Sequence, residues 1–114
     1  MKVKRGDIVY LRRDAYEIIA GKGHLQYGMR PLLVISNDIG NYYSGICVVV
    51  PLSTKSKRNL PTHAHLKHNF SAALCEQIFT INQNDIVRIV DSIGEKEQSK
   101  VNECLKISLA LERG

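Results

Sequence analysis

The chain lacks the features that would place it among metal-bound, disulfide-stapled or membrane proteins. Its three cysteines, Cys47, Cys75 and Cys104, are an odd number separated by nearly thirty residues each. They form no CxxC pair and join no histidine at ligand spacing, which excludes a zinc ribbon or a disulfide framework. Each lies in an apolar stretch and reads as a small buried hydrophobe. No secretory h-region is present, and the longest apolar run, Ile46 to Leu52, is far below the ~20 residues of a membrane span. There is no internal repeat and no low-complexity tract. The reading is therefore a cytoplasmic protein with no membrane partner.

What the chain does have is 114 residues with 44% apolar content, enough for one domain with its own core. Sixteen Lys and Arg against eleven Asp and Glu leave a net charge of +5. That is a mild bias toward polyanions, which admits nucleic acid as a partner without selecting it.

Strand-like segments dominate. Asp7 to Leu11 follows a glycine turn, and Pro31 to Ser36 reads as a second strand. Gly45 to Leu52 is apolar on both faces and hence central. Thr62 to Lys67 alternates, with His63, His65 and Lys67 on one side, so those histidines read as surface groups. Ala72 to Ile81 and Ile86 to Val90 complete the set. Residues 12–29 form a long connection, either a lid over a site or a plain hairpin tip. Asn37 to Asn41 reads as a turn. Only the end is clearly helical: Val101, Cys104, Leu105, Ser108 and Leu109 recur at helical spacing, widened by Ile107 and Leu111. Its start is set by Ser92 with Glu95, as a capping box, or by Gly94. Short strands at even spacing predict a mainly β (α+β) fold: a small SH3-like barrel or curled antiparallel sheet carrying a C-terminal helix.

The chemistry lies where two of these strands meet. Arg30 opens the second strand and Ser53-Thr54 ends the third. If the two pair antiparallel, a permanent cation stands beside hydroxyls at one rim of the sheet. Such a pair can hold a phosphate and stabilise charge building on it. Lys55, Lys57 and Arg58 follow directly and suit phosphate tracking. Glu76 is a carboxylate in an apolar stretch, where burial would raise its pKa and a neighbouring arginine would lower it. Gln77 can read a base edge. Phe79 can stack an unpaired base or join the core.

Lys4-Arg5-Gly6-Asp7-Ile8-Val9, Arg30-Pro31-Leu32-Leu33-Val34-Ile35-Ser36-Asn37-Asp38, Val50-Pro51-Leu52-Ser53-Thr54, Leu60-Pro61-Thr62-His63 and Glu76-Gln77-Ile78 occur in the order and spacing of one family. In these pieces the chain resembles the MazF/PemK toxins, small sequence-specific endoribonucleases of bacterial toxin–antitoxin pairs, over residues 3–111. The resemblance implies a single toxin domain, 1–114, acting as a homodimer on single-stranded RNA, chiefly mRNA, without metal or cofactor. It implies products ending in 2′,3′-cyclic phosphate and 5′-OH, and an acidic antitoxin partner. It assigns catalysis to Arg30, as the group that stabilises the transition state and can also shuttle a proton, to Ser53 (where relatives most often carry threonine) and to Glu76, as base or as the group that orients Arg30. Thr54, Lys55, Lys57, Arg58, Gln77, Phe79 and His24 fall to RNA contact, with His24, in the long connection, also a candidate proton donor. One departure stands out. Relatives often read Gln-Ile-Arg-Thr-Ile-Asp where this chain has Gln77-Ile78-Phe79-Thr80-Ile81-Asn82, which removes a cation from the RNA face. Two other readings share this resemblance: a CcdB-like toxin that binds gyrase, and a degenerate member that binds RNA or antitoxin without cutting. A gyrase binder has no need of Arg30 or of the hydroxyl pair.

Overall fold

A computed structural model of the chain describes residues 2–20, 30–54, 60–67 and 72–111. The order of the described elements is β1 (Asp7–Leu11), α1 (Arg13–Ala20), β2 (Leu32–Val34), α2 (Asp38–Ser44), β3 (Ile46–Ser53), β4 (His63–His65), β5 (Ala72–Leu74), β6 (Phe79–Asn82), β7 (Ile86–Ser92) and α3 (Glu95–Ser108), with a 3-10 turn at Gln83–Asp85. The seven strands form one antiparallel, curled sheet in the order β4-β5-β3-β2-β1-β7, and β6 pairs with the first half of β3. The mainly β fold with a C-terminal helix is thus as predicted. β3 is central, as its two-sided apolar pattern required: it pairs β2 on one edge and both β6 and β5 on the other. Among the described residues, no helix is long and apolar enough to cross a membrane.

Strand alternation sorts the core into two layers. On one face Val9, Leu11, Leu32, Val34, Cys47, Val49 and Ile81 pack with Ala15 and Tyr16 of α1. On the other, Ile8, Leu33, Val50, Leu52, Ala64 and Ala73 pack with Val101 and Leu105 of α3. Residues paired across strands fall in the same layer, as at Leu33↔Val50, Val34↔Val49, Leu52↔Ala73 and Ala64↔Ala73. The register is therefore consistent from β1 to β4.

Three local readings change. Residues 13–20, expected as part of a loop, form α1: Ala15 and Tyr16 are buried on one side while Arg13, Asp14 and Ile18 are exposed on the other. The remainder of that connection, including His24, lies outside the described residues, as do Lys55, Lys57 and Arg58. Asn37 starts a helix and not a turn, because its Oδ1 accepts the Gly40 amide at 2.7 Å as an N-cap. α2 then ends at Gly45 in the left-handed region, φ 75°, which glycine adopts without strain. The run from Ala72 to Ile81 breaks into β5 and β6, with Cys75-Glu76 as the turn between them.

Gly94 is the N-cap of α3, so the Ser92–Glu95 box does not form; Ser92 remains in β7. Of the helical stripe only Val101 and Leu105 are buried, Cys104 is partly so, and Ile107, Leu109 and Leu111 are exposed. Cys47 and Cys75 are buried as expected, and burial raises their thiols to about 11 and about 12. The Arg-Gly-Asp segment is a clasp. Gly6 sits at φ 94° where a Cβ would come within 2.6 Å of Gln98 Nε2. The Arg5 guanidinium donates to the Ile35 carbonyl at 2.9 Å and to Asn102 of α3. It thus ties the entrance of β1 to the exit of β2 and to α3.

Candidate active site

The pairing of β2 with β3 decides the geometry. Leu32 faces Pro51 and Leu33 faces Val50, and beyond β2 the Leu52 amide still donates to the Pro31 carbonyl at 3.0 Å. One step further the same register sets Arg30 opposite Ser53. In an antiparallel pair the residues next to a hydrogen-bonded pair sit ~4.5 Å apart at Cα with side chains on one face. Continued by one step, the register is compatible with the expected neighbourhood of Arg30 and Ser53 at this end of the sheet.

The backbone at Arg30 is held from two sides. Pro31 restricts it to extended geometry, and the Tyr16 hydroxyl of α1 donates to the Arg30 carbonyl. Burial pushes the Tyr16 phenol up to about 12, so it remains a donor throughout the working pH range. The Arg30 side chain is exposed, and among the described residues no carboxylate pairs with it. Its charge faces outward and stays available to an anion. Ser53 is half-buried, and Thr54 follows it in an exposed bend.

The register continues past Ser53. Ser53 faces Ala72 on β5, and Ala72 faces His65 on β4. Arg30, Ser53, Ala72 and His65 therefore form one cross-strand row on one face of the sheet. The alternation of His63 with His65 along the strand was visible in sequence. That it lines up with Arg30 required pairings across three strand boundaries.

Glu76 stands apart from this row, in the turn past Leu74. Among the described residues its carboxylate meets no arginine. Oε2 lies 2.9 Å from Nε2 of His63, and Oε1 accepts from the Thr62 hydroxyl at 3.0 Å. His63, expected on the surface, is 8% exposed, because Glu76 supplies the partner that a buried imidazole requires. Partial burial pushes the Glu76 carboxyl up, but the hydrogen bonds from His63 and Thr62 outweigh it and leave the group below its ordinary 4.5. A carboxyl whose folded pKa is depressed stabilises the fold above its unfolded value, and that contribution is lost as pH falls through the folded value. Glu76→Gln is therefore expected to melt below wild type near neutrality, with the gap closing under pH 4.5; thermal unfolding across pH 3–7 measures it.

Gln77 is exposed, its amide closing the turn onto the Leu74 carbonyl at 3.0 Å. Phe79 is partly buried against the layer that holds Val49 and Ile81, on the same face as Arg30 and Ser53. Its core reading is met in part, with one edge left open. Among the described residues, no three of His, Cys, Asp and Glu gather closely enough to hold a metal ion.

The match to known proteins covers this whole arrangement. Residues 4–109 fit the model of the PemK-like, MazF-like toxins of type II toxin–antitoxin systems. The chain belongs to that family. It is 37% identical to endoribonuclease EndoA of Bacillus subtilis over 118 residues, covering 97% of each chain. It is 32% identical to endoribonuclease MazF of Staphylococcus saprophyticus, over 96% of this chain and 92% of that one. A mycobacterial endoribonuclease solved with its cognate antitoxin superposes with a TM-score of 0.79 at 21% identity, covering 98% of this chain and 99% of that one.

Proposed function

We propose that this PemK-like chain is an endoribonuclease toxin that cuts single-stranded RNA, chiefly mRNA, at a short sequence without a metal ion. The observation that carries the reading is the register that sets Arg30 opposite Ser53 on an exposed rim. RNA brings its own nucleophile: the 2′-OH attacks the adjacent phosphorus, the P–O5′ bond breaks, and the ends are a 2′,3′-cyclic phosphate and a 5′-OH. Charge accumulates on the non-bridging oxygens of the pentacoordinate phosphorus. A guanidinium that keeps its proton neutralises it there, and the Ser53 hydroxyl donates a hydrogen bond to the same phosphate. Lewis-acid help from a cation is not needed for that step.

Glu76 has its oxygens engaged by His63 and Thr62, which favours a structural part over orienting Arg30. In this reading it shapes the turn that presents Gln77 to a base. Phe79, where relatives carry a cation, offers its open edge for stacking. Lys55, Lys57, Arg58 and His24 retain the roles in RNA contact that the resemblance assigned to them.

The working unit is a homodimer in the cytoplasm, with RNA lying across the two-fold. Exposed Val87, Ile89 and Val90 on the edge strand β7, and Ile107 and Leu109 at the end of α3, supply apolar surface for a second copy to cover. An acidic antitoxin is the expected inhibitor, supported by the net charge of +5 and by the antitoxin complex of the mycobacterial relative.

The test is incubation of the purified protein with a long RNA in EDTA, followed by mapping of the cut ends. Cuts at one short motif, each leaving a cyclic phosphate and a 5′-OH, are expected. Intact RNA, or cuts only after magnesium is restored, would overturn the reading.

A further inference from the structure

The peptide link that carries Arg30 into β2 gets little help from the sheet. Pro31 has no N–H to give a strand ladder, and the strand itself begins at Leu32. Two bonds hold the link instead. The Tyr16 hydroxyl donates to the Arg30 carbonyl, and the Leu52 amide donates to the Pro31 carbonyl at 3.0 Å. Among the described residues, Tyr16 is the hydrogen-bond partner of Arg30.

We infer that Tyr16 is a positioning residue for catalysis: its hydroxyl aims the Arg30 guanidinium by fixing the peptide plane from which that side chain springs. The inference rests on the cleavage reading above. A planar peptide unit includes the α-carbon that precedes it, so a bond that holds the Arg30 carbonyl oxygen also holds the Arg30 Cα. The remaining rotation, about the Cα–C bond, is confined to extended values by Pro31. The direction of the Cα–Cβ bond follows, and the exposed guanidinium swings from a fixed root. With the carbonyl released, the segment before β2 is free to shift. A displacement of about 1 Å costs roughly 100-fold in rate for a group that must meet a transition state.

Tyr16 can serve as an anchor because α1 is itself anchored. Ala15 and Tyr16 pack into the layer that holds Val9, Leu11, Leu32 and Val34. Their amides both donate to the Arg12 carbonyl, at 3.1 and 3.2 Å. The Arg12 amide in turn donates to the Asp85 carbonyl at 2.9 Å, and its guanidinium pairs with the Asp85 carboxylate at 2.5 Å. The start of the helix is thus tied to the 3-10 turn before β7. Tyr16 is 5% exposed, so its ring offers RNA no face to stack on. It acts through Arg30 and touches no substrate.

The test is single-turnover cleavage of an RNA oligonucleotide carrying the cut motif, by wild type, Tyr16→Phe, Arg30→Ala and the double variant. Tyr16→Phe keeps the buried ring and removes only the hydroxyl, and thermal melting checks that it is folded. Its cleavage rate is expected to fall about 10- to 100-fold. Its affinity for the same oligonucleotide with a 2′-deoxy cut site, which lacks the nucleophile, should stay within about threefold of wild type. On the Arg30→Ala background, followed over long incubations, the same substitution should change the rate by less than about threefold, because the group it positions is gone. Placing 4-aminophenylalanine at position 16, whose N–H donates from the same point, should restore most of the rate. A loss under about tenfold, a loss carried by affinity alone, equal losses in both backgrounds, or no rescue would overturn the role of Tyr16 while leaving the cleavage reading intact. Failure of the wild type to cut would overturn both.

Discussion

Arg30→Ala is expected to lower kcat for RNA cleavage about 1,000-fold, the upper range for removing one preorganised donor from a developing oxyanion. The guanidinium is exposed, has no carboxylate partner among the described residues, and stands opposite Ser53 by register. Its removal breaks no internal ion pair, so the fold should be unaffected. Thermal melting of the variant should match wild type. Arg30→Lys should recover only part of the rate, because an ammonium offers a point charge where the planar fork makes two parallel hydrogen bonds to a phosphate. Single-turnover cleavage separates the outcomes: loss in the chemical step supports transition-state stabilisation, whereas a rise in KM alone would reduce Arg30 to a binding contact.

The largest effect on stability is expected at the strand that carries Arg30. β2 is only three residues long, all buried, and is clamped between β1 and β3. Leu33 is 1% exposed and lies in the layer under α3, with Ile8 and Val50 as its cross-strand neighbours. Leu33→Ala removes transfer energy and leaves a cavity that a sheet held on both edges cannot collapse. The expected cost is about 2–5 kcal/mol, read as a shift of the urea midpoint. Against a typical stability of ~5–15 kcal/mol for a domain, that is enough to populate the unfolded chain at physiological temperature. A shift under about 1 kcal/mol would show that the layer repacks.

The departures from expectation share a cause. Residues 13–20 carry, among the described side chains, buried Ala15 and Tyr16 in an eight-residue helix, too short a stripe to separate from a polar loop. Asn37 and Asp38 suit a turn and a helix start equally, because the same side-chain oxygen accepts a backbone amide in both. His63 and His65 look alike in the sequence, two imidazoles two residues apart. One is buried on Glu76 and the other is exposed on the row with Arg30, and only the position of the turn after β5 separates them. Glu76 drew attention as a carboxylate among apolar residues, but its partner comes from thirteen residues earlier in the chain. Tyr16 gave no local signal of its hold on Arg30, since the bond spans fourteen residues.

Strand alternation and apolar runs determined the mainly β class, the central place of β3 and the terminal helix, because each depends on local pattern, whereas the run read as one strand over 72–81 divides at a turn into β5 and β6. The tertiary structure alone decided which histidine faces solvent, which groups engage the Glu76 carboxylate, and where the run over 72–81 turns. Those outcomes depend on register accumulated across successive strands. A one-residue slip at any pairing would turn the side chain to the opposite face, and no local pattern records that sum.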